Sequence, residues 1–243
     1  MTLRVEKIDA PCGARVSGID LRGDLAPDLV DELRAYWLTH KVPVFPDQAL
    51  SNQDLERFTL CFGHFGEDPF FGHMPGHEHI AAIQRNADKQ TGIFAEFFHS
   101  DWSFLAVPPA GTCLFGITIL PHRDKLFANP VAAYERLPGT FSEKPREKFE
   151  HPFFRTHHET GQKTLYSSPA YIQGFVGLQQ TESHALLKEF YAYKTAEAVT
   201  YSQPWSKNML VMWDIRSFLH AATVGYEGDD RLLHRTTIAD TQF

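Results

Sequence analysis

Apolar positions recur at two spacings along this 243-residue chain, and the balance between them predicts many short strands with a few helices. Alternating or short continuous apolar runs are typical of strands, whereas apolar residues three and four positions apart are typical of an amphipathic helix. Turn-forming residues separate most of these runs. Strands are predicted as two short pieces within residues 1–23, and then over 42–46, 80–84, 92–104, 112–120, 153–157, 163–167, 200–205, 210–213 and 234–239.

Four segments carry the helical spacing. The segment 24–40 places Pro27 in the first turn, where proline fits because its missing N–H is not needed there. Ser51 and Asp54 stand in the order of a capping box, which predicts a helix that begins there and ends near Phe62. Further helices are predicted over 129–137 and 181–192.

The order of these segments predicts the fold class. Many short strands with a few helices outside them favour a mainly β fold, either a β-sandwich or a jelly roll. No repeat or linker divides the sequence, so a single domain is predicted over 1–243. The segment 67–78 is rich in Gly, Pro and His, which favours a loop. We interpret its His73, His77 and His79 as loop residues rather than metal ligands, because no partner ligand lies at a useful spacing.

Composition narrows the classes of partner. Hydrophobic residues make up 43% of the chain and charged residues 22%, as in ordinary globular proteins. The formal net charge of −7 argues against a nucleic acid or an anionic membrane surface as the main partner. No apolar run has the length of a signal peptide or a bilayer span. Cys12, Cys61 and Cys113 form no paired pattern, so we expect a soluble, cytoplasmic protein.

The first candidate for chemistry is the run 97–102, which holds His99 and Asp101. Residues two apart on a strand point to the same side, so an imidazole and a carboxylate there would form two corners of a metal site. A second histidine from a distant strand would complete the two-His, one-carboxylate set of non-haem Fe(II) oxygenases. Chance is the alternative, because the chain holds 13 histidines and Asp101 could simply cap a turn.

The C-terminal part of the chain supplies that histidine within a longer motif. The stretch 212–220 ends in His220, Arg231 follows eleven residues later, and Arg235 comes four residues after that. This pattern resembles the taurine dioxygenase family of Fe(II)/2-oxoglutarate oxygenases, which includes 2,4-dichlorophenoxyacetate dioxygenase. Further stretches match in family order, namely 13–21, 40–46, 108–111, 126–129 and 133–135.

The resemblance implies a double-stranded β-helix, a cupin-like jelly roll, and a specific activity. Such an enzyme uses O2 to hydroxylate a small anionic organic substrate and converts 2-oxoglutarate to succinate and CO2. By resemblance, His99, Asp101 and His220 hold Fe(II). Arg231 binds the distal carboxylate of 2-oxoglutarate and Arg235 pairs with the substrate anion, a task that suits the forked guanidinium. A homodimer or homotetramer is a further expectation.

Two features depart from the family pattern. Lys125 stands where the family has a threonine that helps to bind 2-oxoglutarate, so its ammonium would meet the cosubstrate as a mobile point charge. Family members also carry a longer insert over the active site, whereas only residues 139–150 fill that place here. The active-site lid is therefore either short or missing from the sequence.

Three aromatic residues outline a substrate pocket. Trp102 and Tyr171 fall where the family places substrate-contacting side chains. Phe70 lies in the loop that presents a sulfonate-binding histidine in the taurine enzyme. These rings favour a bulkier, more apolar acid than taurine, although hydrophobic packing alone accounts for them equally well.

The sequence is also compatible with less specific roles for these residues. His220 could be a core histidine, and Arg231 and Arg235 could lie on a solvated face. A degenerate family member that binds a ligand or partner without turnover would fit Lys125 and the short lid. A hydrolytic zinc enzyme could use the same three ligands, and strict dependence on O2 would exclude it.

Overall fold

A computed structural model describes residues 3–88, 97–119, 124–134, 151–166, 171–223 and 229–241. Within these ranges the helices are α1 (Pro27–His40), α2 (Asn52–Leu60), α3 (Pro130–Tyr134) and α4 (Gln180–Lys194), with a 3-10 turn at Glu197–Val199. The strands are β1 (Arg4–Lys7), β2 (Ala14–Ser17), β3 (Pro43–Phe45), β4 (His73–Met74), β5 (His77–Arg85), β6 (Gly111–Thr118), β7 (Asp124–Ala128), β8 (Phe154–Thr156), β9 (Lys163–Leu165), β10 (Thr200–Pro204), β11 (Leu210–Asp214), β12 (Leu219–Ala222) and β13 (Arg231–Ile238).

Most of these strands belong to two sheets. The larger sheet has the order β1-β2-β3-β11-β6-β13-β5-β4, and the smaller has the order β10-β7-β12. The strands β8 and β9 form a separate antiparallel hairpin. Non-consecutive strands lie side by side in both sheets, which is the arrangement of a jelly roll. The predicted fold class is confirmed.

The hydrophobic core lies on both faces of the larger sheet. On the outer face, α1 and α2 pack against the sheet, and the Phe58 ring of α2 lies 5.6 Å from Phe45 of β3. On the inner face, Trp213 of β11 lies 5.6 Å from Phe127 of β7, so the two sheets pack against each other. None of the helices in the described part of the chain has the length and apolarity that a membrane span requires.

The strand β13 directs two arginines toward the space between the sheets. Leu233 belongs to the inner cluster, and Arg231 and Arg235 lie two positions to either side of it on the same face. Thr236 points the opposite way and its hydroxyl lies 2.6 Å from that of Thr59 on α2. The solvated charged face that the sequence left open is therefore wrong for Arg235, which is buried.

Several local predictions are confirmed. The segments β1 and β2 form an antiparallel hairpin, and β8 pairs with β9 as predicted for 153–167. The capping box at α2 is present: the Asp54 N–H donates to Ser51 Oγ at 3.1 Å, and the Ser51 N–H donates to Asp54 Oδ2 at 3.0 Å. Helix α4 is three residues longer than predicted, because it begins at Gln180 and ends at Lys194.

The predicted strand over 92–104 is wrong in its described part, 97–104. Only His99 forms a β-bridge there, with His220, and residues 101–104 form a turn. Trp102 has a φ of 53°, a left-handed backbone conformation that cannot continue a strand. His99 and Asp101 therefore share a site because the chain turns, rather than because a strand alternates.

The loop predicted over 67–78 is also partly wrong. It contains β4, and β5 begins at His77 instead of residue 80. The sequence pattern further misses β7 and β12, which pair with each other in the smaller sheet and carry Lys125 and His220. The predicted lid segment 139–150 lies outside the described residues, as does part of the predicted helix over 129–137.

Candidate metal centre and substrate site

Three buried ligands converge between the two sheets. Asp101 Oδ1 lies 3.5 Å from His99 Nε2 and 3.6 Å from His220 Nε2. The ligand atoms of all three residues lie within 4.8 Å of one another, and no other such group occurs in the ranges that the structure describes. Two imidazoles and one carboxylate are the donor set that non-haem Fe(II) oxygenases use. These residues therefore fit an Fe(II) ion.

Backbone contacts hold the three ligands in place. The N–H of His99 donates to the carbonyl of His220 at 3.0 Å, and the N–H of His220 donates to the carbonyl of His99 at 2.8 Å. Between His99 and Asp101, the Ser100 hydroxyl donates to the carbonyl of Ile215 at 3.0 Å. The turn that carries Asp101 is thus fixed to the residue that follows β11 of the larger sheet, while His220 lies on the smaller one.

The tautomer of His99 suits metal binding. Its Nδ1 lies 2.7 Å from the carbonyl oxygen of Phe97, which can only accept a hydrogen bond. In the neutral ring Nδ1 therefore carries the proton, and Nε2 keeps the lone pair that a metal ion needs. A second contact that fixes the tautomer of the ligand in this way is common at metal sites.

The protonation states of the other two ligands are also suitable. Burial alone would raise the pKa of Asp101, but His220, His99 and Arg235 outweigh it and hold that pKa well below its usual range. Burial lowers the pKa of His220 strongly, and Lys125 lowers it further. The site therefore presents a carboxylate and a neutral imidazole, the forms that bind a metal ion.

Cationic side chains from both sheets surround this centre. Lys125 of β7 is buried, and its Nζ lies 5.5 Å from the centroid of the Trp213 ring. Burial, together with the charges of Arg231 and Arg235, lowers the pKa of Lys125 to about 7, although Asp101 acts in the opposite direction. Arg231, Arg235 and Lys125 are therefore electrostatic neighbours, as an anion site requires.

Arg235 is held by contacts that the sequence did not indicate. Its Nε donates to Asp68 Oδ2 at 3.1 Å, its Nη2 donates to the same oxygen, and its Nη1 lies 3.9 Å from Asp101 Oδ1. The guanidinium carbon lies 4.6 Å from the ring centroid of Phe71 and 5.0 Å from that of Trp102. Asp68 and Arg235 are 167 residues apart in sequence, so local patterns contain no signal of this pair.

An aromatic cluster lies next to that arginine. The Phe70 ring lies 5.0 Å from Trp102 and 5.8 Å from Phe104, and Tyr171 lies 5.0 Å from Phe104. Burial and the nearby charge of Asp101 together raise the pKa of Tyr171 to about 12, so its hydroxyl is neutral and near the metal centre. The structure thus brings Phe70, Trp102 and Tyr171 together, and adds Phe71 and Phe104, which sequence reasoning missed.

The histidines of the segment 67–78 and its neighbour His79 take no part in the metal centre. His77 Nδ1 lies 3.0 Å from Glu56 Oε2, and the His79 ring stacks on Phe65 at 4.0 Å. In the described part of the chain they form no metal-binding group. The contacts with Glu56 and Phe65 account for His77 and His79 without a metal, and β4 and β5 replace part of the expected loop.

A separate buried network of charges lies at the end of β11. The Arg216 guanidinium binds both oxygens of Asp214, at 3.2 and 3.0 Å, and its Nη1 donates to Glu159 Oε1 at 2.6 Å. His157 Nε2 donates to Asp214 Oδ2 at 2.8 Å. This pairing of Asp214 with Arg216 is structural, because neither residue joins the metal-binding group.

Comparison with known proteins agrees with the geometry. The family model described as taurine catabolism dioxygenase TauD, TfdA family matches residues 4–147 and 142–237. The chain is 28% identical to an alkylsulfatase of Acinetobacter baylyi, over 98% of this chain and 85% of that protein. It is also 28% identical to an alpha-ketoglutarate-dependent 2,4-dichlorophenoxyacetate dioxygenase of Cupriavidus pinatubonensis, over 93% of this chain and 94% of that protein.

A solved structure gives the same result at the level of the backbone. The crystal structure of a taurine dioxygenase from Burkholderia xenovorans superimposes with a TM-score of 0.86 at 29% sequence identity. The match covers 98% of this chain and 90% of that chain. The family predicted from the sequence motifs is confirmed, and the chain belongs to the TauD, TfdA family of Fe(II)- and 2-oxoglutarate-dependent dioxygenases.

Proposed function

We propose that this protein hydroxylates a small organic substrate that bears an acid group, a carboxylate, a sulfonate or a sulfate ester. In the overall reaction, substrate, O2 and 2-oxoglutarate give hydroxylated product, succinate and CO2. The observation that carries the proposal is the buried group of His99, Asp101 and His220. When bound there, Fe(II) and 2-oxoglutarate supply the activation of O2 that makes attack on an unactivated C–H bond feasible.

The three ligands would hold the iron through His99 Nε2, His220 Nε2 and the Asp101 carboxylate. Their burial keeps water from competing for the metal, and Asp101 offsets part of its charge. Three protein ligands also leave positions for a bidentate 2-oxo acid and for O2. The protein's role at this centre is to fix the ligands and to exclude water, since each ligand is less than one-tenth exposed.

The cosubstrate site is proposed at Arg231 and Lys125. Arg231 lies on β13 with its face toward the space between the sheets, and Lys125 lies on β7 across that space. A guanidinium can fork onto the distal carboxylate of 2-oxoglutarate with two parallel hydrogen bonds, whereas an ammonium adds a single point charge. We assign Arg231 the main contact and Lys125 a supporting one.

The organic substrate is proposed to lie between Arg235 and the aromatic residues Phe70, Trp102 and Tyr171. Arg235 would meet its acid group and the rings would bury its apolar part. The names of related proteins support an acidic compound, because they include an alkylsulfatase and a sulfate ester dioxygenase as well as a phenoxypropionate dioxygenase. Phe70, with 59% of its surface exposed, would line the entrance.

Succinate formation tests the proposal directly. Purified protein with Fe(II), 2-oxoglutarate and O2 should release succinate in response to one or more members of a panel of alkyl sulfates, sulfonates and aryloxy or other carboxylates. His99→Ala, Asp101→Ala and His220→Ala should each abolish that response. If no member of the panel raises succinate above the substrate-free rate, or if turnover proceeds without O2, the proposed reaction is wrong.

Location and assembly belong to the same proposal. The three cysteines Cys12, Cys61 and Cys113 are free thiols, which suits a reducing cytoplasm. We also propose a homodimer or a homotetramer. Light scattering on the purified protein decides this point, because a mass equal to the 27.7 kDa of one chain would contradict it.

A further inference from the structure

The proposed substrate anchor, Arg235, already carries an internal counter-ion. Nε and Nη2 of its guanidinium both donate to Asp68 Oδ2. The side chains of the pair are only 8% and 6% exposed, so water screens their charges weakly. The planar face of the guanidinium is covered as well, because Phe71 and Trp102 lie 4.6 and 5.0 Å from it.

Asp68 is held in this position by its own loop. Its other oxygen, Oδ1, accepts long contacts from the backbone N–H groups of Phe70 and Phe71 at 3.4 and 3.3 Å. The same loop thus places the carboxylate on the arginine and the Phe70 ring against Trp102 at 5.0 Å. Asp68 is therefore part of the wall of the proposed substrate site.

The charge of this wall disfavours a simple anion. The charges of Arg235 and Asp68 sum to zero. A substrate whose only polar group is an anion would therefore place an unmatched negative charge beside Asp68. A substrate with a hydrogen-bond donor next to its acid group is complementary to both residues. Arg235 Nη1 would donate to the acid group, and Asp68 would accept a hydrogen bond from the neighbouring donor. Specificity of this kind, built on repulsion of the wrong partner, is a general device of binding sites.

Two further polar atoms favour a ligand with several hydrogen bonds. Among the described residues, Trp102 Nε1 and the Tyr171 hydroxyl have no hydrogen-bond partner although both atoms are buried. Unpaired buried polar groups are costly, and at a binding site a ligand commonly supplies the partner. Both residues are neighbours of Arg235. The Trp102 ring centroid lies 5.0 Å from its guanidinium carbon, and its charge also acts on the Tyr171 hydroxyl.

We propose that Asp68 determines substrate specificity and that the substrate bears an ammonium or hydroxyl group next to its acid group. Arg235 receives the acid and Asp68 the adjacent donor, so the substrate class is a bulky amino acid or hydroxy acid rather than a simple organic acid. The inference rests on the proposed function, because it concerns the same site.

Three ligands test the inference, namely 3-phenylpropanoate, 3-phenyllactate and L-phenylalanine. They differ only on the carbon next to the carboxylate, which bears hydrogen, a hydroxyl group or an ammonium group, respectively. Their dissociation constants are measured by calorimetry on the anaerobic protein with Fe(II) and 2-oxoglutarate bound. Wild-type protein should bind phenyllactate or phenylalanine at least about 10-fold more tightly than phenylpropanoate. In Asp68→Asn this ratio should fall to about 1 or below, chiefly because phenylpropanoate binds more tightly. Asp20→Asn removes the acid of an exposed Asp–Arg pair and is the matched control, with the wild-type ratio unchanged.

The outcomes separate this inference from the proposed function. A ratio that stays the same in Asp68→Asn, or a wild-type preference for phenylpropanoate, overturns the role of Asp68 while leaving the dioxygenase reaction intact. Failure of all three ligands to bind also counts against the substrate class. Circular dichroism confirms that Asp68→Asn is folded, and Asp68→Ala repeats the measurement with the carboxylate removed entirely. Loss of the dioxygenase function itself would appear instead as absence of substrate-dependent succinate across the whole panel.

Discussion

Replacement of Arg216 by methionine tests how much the buried charge network at the end of β11 stabilises the fold. Arg216 is 3% exposed, and it makes two hydrogen bonds to Asp214 and one to Glu159. The change leaves Asp214, which is fully buried, with only His157 and a backbone N–H as partners. Loss of one partner of a buried ion pair typically costs about 3–5 kcal/mol.

The effect is large enough to measure by calorimetry. For a chain of this size, each kcal/mol lowers Tm by about 2–4 °C, so Arg216→Met should melt about 10 °C below wild type. Arg22→Met is the matched control, because Arg22 pairs with Asp20 at 2.6 Å on the surface, where such pairs contribute at most about 1 kcal/mol. Equal shifts in Tm for the two variants would mean that the buried ion pair stabilises the fold no more than the exposed one.

The network also predicts a direction of pH dependence. Burial alone would raise the pKa of Asp214 and of Glu159, but Arg216 and the other partners outweigh it and lower both. In acid the unfolded chain therefore binds more protons than the folded chain does. The stabilisation by these carboxylates is complete above the ordinary carboxyl pKa of about 4, and it is lost as the pH falls below that value. Arg216→Met should flatten this acid limb of the Tm profile, and an unchanged limb would contradict the pairing.

Four other substitutions should have effects that follow from the same structure. Arg231→Ala should raise the KM for 2-oxoglutarate about 100-fold, because it removes about 3 kcal/mol of charged hydrogen bonding. Arg235→Ala should instead raise the KM for the organic substrate. If steady-state kinetics show the opposite pattern, the two assignments are reversed. Lys125→Met should raise the KM for 2-oxoglutarate about 10-fold, and an unchanged value would exclude Lys125 from that site. Ser51→Ala should lower the free energy of unfolding by about 1 kcal/mol in urea through loss of its cap on α2, and an unchanged midpoint would mean that the cap contributes nothing.

Much of the fold could be predicted because its signals are local. The capping box at Ser51 and Asp54 is set by residues three positions apart, and the helix α1 by its apolar spacing. The strand β12 gave no such signal, since Leu219, His220, Ala221 and Ala222 are all buried and do not alternate. A strand that is covered on both faces lacks the pattern on which sequence reasoning depends.

The candidate site was predictable in its residues but not in its geometry. The spacing of His220, Arg231 and Arg235 identified the family, and the three metal ligands followed from it. The local conformation of the His99–Asp101 segment was wrong, because an aromatic-rich run looks like a strand while the tertiary fold imposes a turn at Trp102. The contact between Asp68 and Arg235 depends on how β13 packs beside the loop after α2, and no local pattern reports it.

In the proposed reaction, His99, Asp101 and His220 hold an iron ion to which 2-oxoglutarate binds. Anaerobic titration of the protein with Fe(II) in the presence of 2-oxoglutarate measures this without any knowledge of the organic substrate. We expect a weak visible charge-transfer band that saturates at one iron per chain and is absent in Asp101→Ala and His220→Ala. Absence of the band in wild type, or its persistence in either variant, would mean that these three residues do not hold such an iron ion.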